Sequence, residues 1–144
     1  MHVSVKLTLT AAAALLTLPV FAAEQIKVVE HPVNETTAHV GAKTDGPGDI
    51  LSFANPLFDA NNKQQIGTDQ GFCIRTVVGK SWHCNWTNQL KEGMITVDGI
   101  FNDAGDSTLS IIGGTGKYAG ARGTMLLHTR AGKPEGYDFT FDIS

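Results

Sequence analysis

Tyr137-Asp138-Phe139-Thr140-Phe141-Asp142-Ile143 carries the fold class of this chain. Its aromatic and aliphatic residues alternate with Asp138, Thr140 and Asp142. That period of two is what a β-strand produces when one face is buried and the other is wet. Reading back toward the N-terminus, weaker segments of the same kind fall near Gly123–Arg130, Thr108–Gly113, Met94–Phe101 and Ser81–Asn88. Three more lie near Gly71–Val78, Asp49–Ala54 and Gln25–Val29. Gly, Asn and Asp punctuate them at short intervals and helix signals are nearly absent, which predicts an all-β sandwich or closed barrel. The stretch from Glu35 to Pro47, rich in Thr, Gly and Asp, is expected to be an irregular loop. No repeat or linker divides the chain, so a single domain is expected.

The only two cysteines fall on neighbouring predicted strands, and hairpin arithmetic brings them together. A turn centred on Val78-Gly79 makes opposed residue numbers sum to 157 and sets Cys73 against Cys84. A turn at Gly79-Lys80 makes them diagonal neighbours on one face; either register permits a bridge. The alternative is a free Cys73 facing a ligand. Other patterns lead nowhere. Gly113-Gly114-Thr115-Gly116-Lys117 has the wrong spacing for a phosphate loop and is followed by Tyr118. Asp59-Ala60-Asn61-Asn62-Lys63 lacks the later ligands of a calcium loop and reads as a polar turn. The histidines show no metal-ligand spacing, so neither metal nor cofactor is expected.

Lys6 precedes an apolar run from about Leu7 to Phe21 that closes on Val20-Phe21-Ala22. The run is too short to span a bilayer and is laid out as a secretory leader over residues 1–23, leaving a barrel domain over 24–144. Export to the periplasm or medium agrees with a paired cysteine count. Without Lys6 the chain has 10 basic against 14 acidic side chains, a formal charge of −4. A mixed, mildly acidic surface offers nothing to nucleic acid or to anionic lipid.

Three blocks carry a family likeness: Gly48-Asp49-Ile50-Leu51-Ser52-Phe53-Ala54-Asn55-Pro56-Leu57-Phe58, then Ile66-Gly67-Thr68-Asp69-Gln70-Gly71-Phe72-Cys73, then the glycine-rich run from Gly105 to Gly123. In order and spacing they resemble the allene oxide cyclase and dirigent protein superfamily. The resemblance implies an eight-stranded antiparallel β-barrel around an apolar cavity, commonly trimeric, and chemistry without a cofactor. Such a barrel is wide enough to hold one small ligand. The resemblance places Asn55 and Glu30 as the polarising, catalytic pair and Cys73 in the pocket. Pro32 stands where the cyclases carry an asparagine, and Asn55 where the dirigent proteins carry an aspartate.

Alternation adds Phe53 to the Asn55 face and groups Cys73 with Arg75, opposite Trp82, Cys84 and Trp86. An arginine among aromatics would hold a carboxylate or phenolate; the same aromatics also serve as plain core. Arg122, in the family's Ala-Arg-Gly, is expected to touch ligand or to pair a carboxylate such as Asp69 or Asp98. Three functions follow: a barrel that binds a small apolar or phenolic ligand and steers its coupling, a cofactor-free cyclase or isomerase, and a non-catalytic exported scaffold. A homo-oligomer, trimer or dimer, is expected.

Overall fold

The computed structural model describes residues 23–41, 44–131 and 136–144. The expected leader lies, apart from Ala23, outside the described residues. Nine strands follow in order: β1 (Glu24–Glu30), β2 (Glu35–Ala38), β3 (Ile50–Asp59), β4 (Gln65–Val77), β5 (Ser81–Leu90), β6 (Gly93–Asn102), β7 (Ser107–Gly114), β8 (Gly123–Thr129) and β9 (Tyr137–Ile143). They pair antiparallel in the order β1-β9-β8-β7-β6-β5-β4-β3-β2, and β1 returns to β3. That last pairing closes an eight-stave barrel, the fold class expected from the sequence.

The ninth strand is half a stave. β1 pairs with the end of β3 through Val28–Glu30, and β2 pairs with its beginning, Glu35 opposite Phe53 and Ala38 opposite Ile50. Between them Pro32 lacks an N–H and interrupts the ladder. Glu35–Pro47 was expected to be irregular throughout; instead it opens with β2. All four residues of β2 are exposed, so no apolar alternation announces it, and the free edge of β3 organises it. β3 also runs past Pro56, beyond the expected end at Ala54. The Pro56 carbonyl accepts the His31 N–H at 3.2 Å, so its missing donor faces the interruption, where the ladder needs none.

The β4–β5 hairpin follows the 157 register from Gly67 opposite Leu90 to Arg75 opposite Trp82, then bulges at the turn. Cys73 and Cys84 are directly opposed, 4.0 Å apart at Cα, and form a disulfide. Inward residues of β3 to β6 stack in layers across the barrel. Arg75, Trp82 and Phe101 form one layer; Leu51, Cys73, Cys84 and Gly99 form the next. Below them come Phe53, Gly71, Trp86 and Val97, then Asn55, Asp69, Asn88 and Ile95. The lower half is packed solid with Leu57, Leu109, Met125 and Phe141, each at most 1% exposed. At that end a 3-10 turn over Gly116–Tyr118 inserts the buried Tyr118. Gly116 sits at φ +59°, and a Cβ there would meet the Glu92 carbonyl at 2.4 Å, so this glycine serves the chain's path.

Candidate functional site

A cavity of about 90 Å³ occupies the other half of the barrel, where β1, β4 and β6 end and β3, β5 and β9 begin. In its wall, the layer of Phe53 and Trp86 has a glycine, Gly71, between the two rings. A Cβ on Gly71 would lie 2.3 Å from Trp86 Cβ; without one, Trp86 meets Phe53 edge-on at 5.9 Å between centroids. Leu51, Phe101, Leu127 and Phe139 complete the apolar wall, with Tyr137 near the mouth at 6.0 Å from Phe101. The cystine belongs to the same wall, so Cys73 is both bridged and cavity-facing.

Two carboxyls, Glu30 and Glu35, break the apolar lining. Glu30 is 4% exposed and accepts a 2.6 Å hydrogen bond from Asn55 Nδ2. Asn55 itself lies behind the wall, at 1% exposure. Its Oδ1 accepts the backbone N–H groups of Val33 (3.0 Å) and Asn34 (2.9 Å), donors that the Pro32 break leaves free. That fixes which end of the amide faces Glu30. The Asn55 backbone N–H is donated to Asp69 Oδ1 at 3.2 Å. Three carboxyls thus gather around one asparagine.

Their electrostatics favour protons. Burial, then the neighbouring Asp69, pushes Glu30 well above the usual carboxylate range against the opposing Asn55 bond. Burial raises Glu35 as well. Asp69 is pushed up to about 7, by burial first, with the Glu35 charge adding and the Asn55 N–H opposing. The raised carboxyls can therefore serve as hydrogen-bond donors, and Asp69 exchanges its proton near neutral pH.

Phe53, Trp86, Cys73, Cys84 and Glu30 from the sequence reading line the cavity, and Asn55 supports it from behind. Arg75 and Trp82 stand one layer above, outside the lining. The Arg75 guanidinium lies 3.9 Å over the Trp82 ring, and Asp45 (2.7 Å) and Asp103 (2.6 and 2.8 Å) take its donors. It closes loops at the barrel end where a ligand carboxylate had been expected. Arg122 is exposed and donates to the Ala121 carbonyl at 2.7 Å. Neither suggested partner is its own: Asp69 is inside the barrel, and Asp98 bonds Asn85 and His83 on the outer face. Glu35, Phe101, Leu127 and Tyr137 went unforeseen as lining, and Asp69 as part of the cluster. Among the described residues no group of three or more His, Cys, Asp or Glu is arranged to hold a metal.

Residues 17–143 match the family model described as dirigent-like protein. Among solved structures, a pyocyanin demethylase superposes with TM-score 0.70 at 23% identity, over 81% of this chain and 98% of the other. A pterocarpan synthase dirigent protein, PsPTS1, gives 0.69 at 14% identity, over 85% and 93%. The Diels Alderase AbmU from Streptomyces koyangensis gives 0.65 at 13%, over 85% and 63%. At these identities the likeness to solved structures speaks to the barrel alone.

Proposed function

The chain belongs to the dirigent-like protein family, and from that premise we propose that it is an exported barrel that binds a small phenolic or apolar ring and steers its cyclisation or coupling without a cofactor. One observation carries this: a buried carboxyl, Glu30, takes a 2.6 Å hydrogen bond from Asn55 at the edge of a cavity walled by aromatic rings. The rings fix the plane of the ligand. Glu30 donates to the ligand oxygen, Asn55 holds Glu30 in place, and Glu35 stands at the exposed mouth. Holding one conformer in a dry site supplies the directing effect. Among the neighbours in fold, one is named a pterocarpan synthase dirigent protein and another a Diels Alderase, names in keeping with a steered coupling or cyclisation. Export is supported by the leader pattern and by a disulfide that suits an oxidising compartment.

The cavity is well below the roughly 300–1,000 Å³ of typical ligand pockets. The ligand it suits has a single ring, entering ring-first with its remainder in the mouth. The same small volume is the observation favouring the other reading, a barrel used only as a scaffold. Native mass spectrometry of the mature protein from its own host separates the two. The expected spectrum retains a small aromatic molecule that is lost in Glu30→Gln or Trp86→Ala. Empty subunits, together with tryptophan fluorescence indifferent to added phenols, would instead establish the scaffold.

A further inference from the structure

One interior layer is polar across three adjacent strands. Asn55 on β3 stands opposite Asp69 on β4, and Asp69 stands opposite Asn88 on β5. None of the three is more than 1% exposed. Two buried oxygens in this layer lack a hydrogen-bond partner among the described residues, Asp69 Oδ2 and Asn88 Oδ1, and they belong to directly opposed residues. The Asn88 amide end is committed, since Nδ2 donates to the Ile95 carbonyl at 3.2 Å. An ionised carboxylate and an amide oxygen are both acceptors and cannot satisfy one another. A proton on Asp69 Oδ2 would turn one of these two acceptors into a donor, facing the residue that carries the other.

We propose that Asp69 is held as a neutral acid and acts as a positioning residue that sets the proton state of Glu30 through Asn55, so that the cavity offers an O–H to its ligand. The inference rests on the cavity reading above and deepens it: the ligand class becomes one with an oxygen acceptor, a phenolate, enolate or aryl carbonyl, and cationic amines are excluded. The groups facing Asp69 agree. Glu30 comes from β1, Glu35 from β2, Asn55 from β3 and Asn88 from β5, and among the described residues no lysine or arginine pairs with any of the three carboxyls. The upward displacement of both points the same way: burial raises each, Asp69 adds to the shift of Glu30, and Glu35 adds to that of Asp69.

Carboxyl-carbon NMR titration of the wild type and of Asp69→Asn tests this directly. Asparagine keeps the acceptor for the Asn55 N–H and offers Asn88 a permanent donor. In the wild type, Glu30 and Asp69 should titrate in two shared steps; in Asp69→Asn, Glu30 should lose the upper step and move to lower pH. Glu30 unmoved by the substitution, or an Asp69 that ionises in the ordinary carboxylate range, overturns the proposal. Should the variant not fold, unlinked single-step curves in the wild type overturn it equally. 4-Nitrophenol, whose two protonation states differ in absorbance, separates this failure from that of the cavity. Linked titrations with no 4-nitrophenol binding sink the ligand reading alone. Binding whose pH range is the same in Asp69→Asn sinks the role of Asp69 alone.

Discussion

At the scale of single residues, Asn55 is where backbone and site meet. It completes the ladder broken at Pro32 and, with the same side chain, holds Glu30. Asp69 beside it gives a prediction whose sign follows from linkage. In the unfolded chain an aspartate loses its proton near pH ~3.9, whereas in the fold Asp69 keeps it to about 7. Between those values the folded state binds more protons than the unfolded one, so this contribution to stability is fully present below about pH 4 and is lost as pH rises toward 7. Urea unfolding across that window should show the wild type losing ground to Asp69→Asn by up to ~1.4 kcal/mol per pH unit. A constant difference would mean that Asp69 ionises normally. Asp49, held below the usual range by its 2.6 Å bond to His39, acts with the opposite sign but is common to both proteins. Glu30 and Asn55 were legible through the resemblance. Asp69 was misplaced because β4 was expected to start at Gly71; the polar run Gln65–Gln70 hides a strand whose inward face continues from Cys73 through Gly71 to Asp69.

At the scale of elements, the β4–β5 hairpin does most to shape the cavity. Its cystine supplies part of the wall, and Gly71 gives Trp86 the room to reach Phe53. Replacing both cysteines with serine should cost about 2–3 kcal/mol, the usual worth of closing so short a loop. The loss would be read as a lower urea midpoint; an unchanged midpoint would mean that neighbouring strands already fix the hairpin. This element was the most legible, because one turn position sets every pairing and the two cysteines check it. β9 was equally clear from its alternation. β2 was invisible, because a strand with no buried face leaves no period in the sequence, and its existence depends on pairing with the edge of β3. The cavity's Leu127 and Phe101 were likewise hidden, since alternation gives a face but not a height along the barrel.

For the whole molecule, closure hides one face of every stave and leaves the other to solvent or to a second copy. On the outer surface, Ile50, Ile74, His83 and Ile100 fall in one register row across β3 to β6, the three isoleucines 39–46% exposed, with Phe72 alongside. If the homo-oligomer expected from the sequence uses this row, Ile74→Asp with Ile100→Asp should convert the sedimenting species to monomer without changing the far-ultraviolet spectrum. An unshifted sedimentation profile would place the contact elsewhere. The barrel's closure also brings together the two ends of its strand sequence. Glu24 of β1 lies opposite Ile143 of β9, so the strand that opens the barrel and the strand that ends it are neighbours. In connectivity the barrel is a ring with one nick, and a permuted gene that joined the end of β9 to the start of β1 through a short turn and opened the chain at Gly79 would move that nick to a hairpin whose two arms the cystine still ties together.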